Sequence, residues 1–150
     1  RGNDVELDFD FEKVTEKSKE NPVFYVQYAY ARINSIFRIL KLSLHKKINV
    51  VSNKFVLNDY EIEILKKISE WPKCVEISTK KLEPHRIPFY LYELVTLFHS
   101  YWNMGKDNIE FRFINSSNYL NYSRLLLLQA LSIVIKNGLT ILGVSTPKKM

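Results

Sequence analysis

Between about Asn118 and Asn137 the chain carries apolar residues on nearly every face of a helix, with only Gln129, Ser132 and Lys136 as a polar stripe. A helix of that character has to sit at the centre of a bundle. Its longest apolar run, Leu125 to Ile135, contains Gln129 and Ser132 and is too short for a membrane span. The rest of the sequence conforms: four glycines and five prolines interrupt 150 residues, and most segments repeat with a helical period. The expected fold is all-α, a bundle of about five helices, with no internal repeat or low-complexity segment.

Boundary signals divide the chain. Glu12 to Lys19 is a polar helix candidate that stops at Asn21-Pro22. Pro22 opens a helix to about Leu44 whose core arc is Val26, Ala29, Ile33, Ile36, Phe37 and Leu40. Lys46 to Val56 reads as a loop. Asn58, with Glu61 three residues on, is a capping-box start for a helix through Ile68. Trp71-Pro72 breaks it, and a short helix follows to about Leu82. Pro84 opens a helix to about Asn103, with Leu91, Leu94, Val95 and Phe98 inward. Gly105 to Ser117 reads as a loop around Phe111-Arg112-Phe113. Asn137-Gly138 reads as the stop of the last helix, because both residues tolerate the left-handed conformation.

Charge is uneven. Residues 1–20 hold four basic and seven acidic groups, a net of −3, and residues 21–150 hold eighteen and nine, a net of +9. A basic domain of this kind suits a polyanionic partner or plain solubility. The lone Cys74 fits a reducing compartment, and secreted and membrane classes are excluded, so cytoplasmic residence is expected. The chain opens on Arg1 rather than methionine, as an excised piece of a longer protein does.

No catalytic signature is present. His45, His85, His99 and Cys74 show no metal-ligand spacing, and there is no glycine-rich phosphate loop or nucleophile elbow. His85 and His99 read as helix-start or packing residues, and Asp8 with Asp10 as an ordinary polar segment. The expectation is no catalytic residue, no metal and no cofactor within these 150 residues.

The segment that stands out is NPVFYVQYAYAR, residues 21–32. On a helix Tyr25, Tyr28 and Arg32 share an arc off the centre of the core face. Exposed aromatics beside a guanidinium are what stacking on unpaired bases requires; amphipathic tyrosines at the core edge are the alternative.

NPVFYVQYAYARINSI (21–36) also resembles the stretch that closes the catalytic region and opens the anticodon-binding domain of arginyl-tRNA synthetases, with Tyr30 where a histidine is usual. LDFDFEKVTEKSKEN (7–21) is similar to the segment before it. LEPHRIPFYLYELVTLFHSYWN (82–103) is similar to a downstream helix of that family, and NGLTILGVSTPKKM (137–150) to its terminus. The stretches 41–81 and 104–120 match loosely.

The resemblance implies a helical, DALR-type anticodon-binding domain of a class I synthetase over 21–150, with 1–20 a linker from a catalytic domain. The HIGH-type and KMSKS-type signatures are absent from these residues. It further implies an arginine tRNA as partner, and ATP with magnesium in the parent enzyme. Carried over by position, Tyr25, Tyr28, Arg32, Trp102 and Met150 meet the anticodon loop, Trp102 standing where tyrosine is more usual. Gln27 is open between base contact and structure. Arg38, Lys41, Lys46 and Lys47 are candidate phosphate contacts by charge. The alternative reading is a helical protein–protein module with a basic surface.

Overall fold

The computed structural model describes residues 10–16, 20–44, 48, 57–114 and 122–150. Among them are six α-helices and no strand: α1 (Phe11–Thr15), α2 (Pro22–Ile39), α3 (Asp59–Ser69), α4 (Trp71–Lys80), α5 (Arg86–Asp107) and α6 (Tyr122–Ile141). A single 3-10 turn, Ile109–Phe111, follows α5. Five of the six helices are ten residues or longer, in keeping with the expected bundle. The loop expected over Lys46–Val56 lies almost wholly outside the described residues.

Local chemistry starts the helices where the sequence points. Asn21 caps α2, its side-chain oxygen accepting from the N–H groups of Val23 and Phe24, with Pro22 in the first turn. Asn58 and Glu61 form the reciprocal capping box of α3, each accepting the other's backbone N–H at 2.9 Å. Asp10 accepts from the Glu12 N–H at 3.0 Å in the same manner at α1. That helix ends at Thr15, short of the expected Lys19, and the Asn21 side chain takes up the Glu16 carbonyl at 2.9 Å.

Helix ends were harder to read. α2 stops at Ile39, not near Leu44, because Lys41 adopts a left-handed φ of 54° and the Leu42 N–H turns back to the Phe37 carbonyl. That closure usually uses glycine at the left-handed position. Leu82 closes α4 identically, at φ 54°.

α5 runs through the supposed loop start at Gly105 to Asp107. Gly105 is there for close packing: a Cβ would stand 3.3 Å from the Phe111 carbonyl oxygen. The stop assigned to Asn137-Gly138 is also corrected. α6 continues to Ile141, and Gly143, at φ 69°, supplies the left-handed closure. Gly138 sits inside α6 because a Cβ there would come within 2.7 Å of the buried Leu91 side chain.

The core joins three helices. Ile33 and Phe37 of α2, Leu94 and Phe98 of α5, and Leu131 and Ile135 of α6 are each 2% exposed or less. α5 is the hub, packing against α2, α3, α4, α6 and the 3-10 turn, whereas α6 meets α2, α3 and α5. α6 is long and apolar enough to cross a membrane by length and composition, and half of its most apolar window is buried in the fold. Its outer face leaves Ile133 and Ile141 exposed, so the central place expected of it belongs to α5 as well.

Candidate nucleic-acid interface

α2 and α5 pack together, and the side chains singled out in the sequence gather along that contact. Tyr28 and Arg32 lie one turn apart on α2. The Arg32 guanidinium carbon stands 4.3 Å from the centre of the Tyr28 ring and 5.0 Å from that of Trp102, on α5. One terminal nitrogen of Arg32 donates to the Tyr28 hydroxyl at 3.0 Å. The other lies 3.0 Å from Nδ1 of His99.

His99 carries more than packing. Arginine only donates, so Nδ1 must be the acceptor and the proton must sit on Nε2. Nε2 then donates to the Tyr25 carbonyl at 3.3 Å. The ring lies between Tyr25 and Tyr28, with centroids 4.4 and 5.8 Å away. Burial, and secondarily the Arg32 charge, push the His99 pKa down to about 4. The imidazole is therefore neutral at physiological pH and holds the guanidinium with a fixed acceptor. The sequence pattern marks His99 only as a helix-start or packing residue. The available signal was its place three residues before Trp102, on the same side of the helix.

A pH dependence follows. The folded state resists protonation of His99 down to about pH 4, while the unfolded chain takes up that proton near its ordinary 6.5. The stability this represents is complete above about pH 6.5 and is lost as pH falls toward 4. The loss is on the order of 2–3 kcal/mol for the shift of His99 to about 4. Urea unfolding of the chain and of His99→Gln across that window should show the acid-induced loss reduced by this amount in the variant.

The C-terminal tail completes the site. The Gln27 amide donates to the Ser145 carbonyl at 2.9 Å and lies 3.3 Å from its hydroxyl, so Gln27 is a structural tie between α2 and the tail. Beyond that tie, Lys149 and Met150 line a groove of about 430 Å³ with Tyr28, Arg32 and Trp102. Arg38 adds a second cation at its edge. Four of the five expected loop-contacting residues, Tyr28, Arg32, Trp102 and Met150, thus share one concavity. Lys149 is a cation that sequence reading passed over.

Tyr25 stands apart. It packs on Tyr92, with centroids 5.4 Å apart, and lines a different cleft with Glu20, Pro22 and Tyr92. Its phenol is pushed upward in pKa, chiefly by burial. Trp102 is half-buried and serves both readings: it packs on Phe98 and Phe113, at 5.8 Å each, while another side faces the groove. Lys41 is exposed beyond the end of α2 and does not line the groove; Lys46 and Lys47 lie outside the described residues. His85 opens α5, its ring edge-on to Phe89. Among the described residues, no three of His, Cys, Asp or Glu gather as metal ligands.

The chain belongs to the DALR anticodon binding domain family, whose model it matches over residues 26–150. Its relatives are consistent. It is 55% identical to an arginine–tRNA ligase of Pelagibacter ubique over its whole length, and 46% identical to one of Rhizobium meliloti over 96% of it. The chain spans about a quarter, 26%, of each of those relatives. The solved Thermus thermophilus arginyl-tRNA synthetase superposes with a TM-score of 0.71 over 95% of this chain and 23% of its own, at 23% identity, a likeness of fold. The Plasmodium falciparum arginyl-tRNA synthetase superposes with a TM-score of 0.67 over the same shares, at 26% identity.

Proposed function

We propose that this chain binds the anticodon loop of arginine tRNA, and so positions that tRNA for ATP- and magnesium-dependent aminoacylation by the remainder of a cytoplasmic arginine–tRNA ligase. The observation that carries this reading is the convergence of Tyr28, Arg32, Trp102 and Met150 on one groove edged by Arg38 and Lys149. Residues 1–20 serve as the linker to the catalytic part. We assign the ATP step to that catalytic part.

Recognition then works by stacking and edge contact. An unstacked base enters against Tyr28 and Trp102, and Met150 closes on it. Two of the five guanidinium N–H groups of Arg32 are committed to His99 and Tyr28. The others are held in a fixed plane to donate to the acceptor atoms of a base. Arginine anticodons share a central cytosine, whose carbonyl oxygen and unsubstituted ring nitrogen are such acceptors. Arg38 and Lys149 supply attraction to phosphate that weakens with salt.

Titration of the chain with arginine tRNA, and with transcripts changed at the central anticodon base, tests this. Loss of roughly tenfold or more in affinity on changing that base is expected. Equal affinity for all transcripts rejects the anticodon reading. The protein–protein module is not favoured, and it would give no binding that depends on anticodon sequence.

A further inference from the structure

Behind the groove lies a second pocket of about 280 Å³, and the two share Trp102 and Ser35. Its walls are largely apolar: Ile36 and Ile39 at the end of α2, Phe111, Phe113 and Ile114 after α5, and Trp102. Two cations complete the lining, Lys106 and Arg112. The Arg112 side chain is fixed in place, donating to the Gly105 carbonyl at 2.7 Å and to that of Lys106 at 3.4 Å. None of these residues except Trp102 belongs to the set expected from sequence.

We propose that this pocket is a second base subsite, holding the unpaired nucleotide next to the one in the Tyr28–Arg32–Trp102 groove. The inference rests on the anticodon-loop reading above. Three features select this occupant. The pocket and the groove share Trp102 and Ser35 in their linings, so consecutive bases can occupy both with one indole between neighbours. Its lining joins aromatic rings with aliphatic side chains, as a base platform does. The cations Lys106 and Arg112 on one side, and Arg38 on the other, flank the path of the connecting phosphate.

The test uses anticodon stem-loops of arginine tRNA, intact or with an abasic residue immediately 5′ or 3′ of the central base. They are titrated against the chain and against Ile39→Trp, which fills the pocket from its open edge, Ile39 being 65% exposed. One of the two abasic loops should bind the unaltered chain about tenfold more weakly. Ile39→Trp should cost a similar factor on the intact loop and little more on that abasic loop.

Abasic loops that bind as tightly as the intact one overturn the subsite, as do losses from variant and lesion that simply multiply. Changing the central base in the same series separates the two claims. Sensitivity there without a flanking effect removes the second pocket and leaves the groove. A flanking effect alone leaves the pocket and removes the selectivity of the groove, and insensitivity at all three positions removes both.

Discussion

Arg32→Ala is expected to weaken binding of arginine tRNA by about 2–4 kcal/mol, the range of an interface hot spot, while leaving the helical content in place. The side chain is pinned at both terminal nitrogens and lies within cation–π distance of both the Tyr28 and Trp102 rings. Alanine removes the base donors and the cation that orders both rings, each worth on the order of 1–3 kcal/mol. The fold loses less, because the orphaned group is one nitrogen of His99, at about 1–3 kcal/mol.

Arg32→Lys should rescue little, since an ammonium cannot reach His99 and Tyr28 as a planar fork and still address a base. The measurement is a salt series with cognate and central-base-changed tRNA. Arg32→Ala should abolish the difference between the two tRNAs. Lys149→Ala should weaken both alike and lower the salt slope by about one. If Arg32→Ala retains full discrimination, the guanidinium is not the reader.

How much of this was legible in sequence depended on whether the cause was local. The starts of α2 and α3 were readable because Asn21-Pro22 and Asn58-x-x-Glu61 act within four residues. The ends at Lys41 and Gly143 were not: Lys41 is a non-glycine residue in the left-handed conformation, and the competing signal at Gly138 is decided by packing. Gly138 looks like a terminator until Leu91, on another helix, occupies the space of its missing side chain. The site divides in the same way. Tyr28 and Arg32 meet at i and i+4 on one helix and could be paired by inspection. His99 lies 67 residues from Arg32, and Gln27 lies 118 from Ser145, so neither partnership leaves a mark in local pattern.

Glu61→Ala is expected to destabilise the chain by about 3–5 kcal/mol, the cost of removing one partner from a buried ion pair. That is a large share of the roughly 5–15 kcal/mol available to a domain. Glu61 is 1% exposed. One carboxylate oxygen closes the capping box on the Asn58 N–H, and the other accepts both the Tyr101 hydroxyl and the Arg124 guanidinium. α3, α5 and α6 therefore meet at a single side chain. Arg124 also donates to the Arg112 carbonyl at 3.0 Å, and Arg112 to that of Gly105, carrying the tie to the 3-10 turn. Alanine leaves the Arg124 guanidinium with the Arg112 carbonyl but no carboxylate, and takes from the buried Tyr101 phenol the acceptor it donates to. Glu61→Leu with Arg124→Met should recover much of the loss, because apolar partners leave no orphaned charge. Urea unfolding of the single and double variants decides it: additive losses would mean that the pair is not coupled. The effect should also reach the groove, because Tyr101 immediately precedes Trp102. A Glu61→Ala chain kept folded at low temperature should bind arginine tRNA more weakly, although Glu61 itself touches no part of the groove.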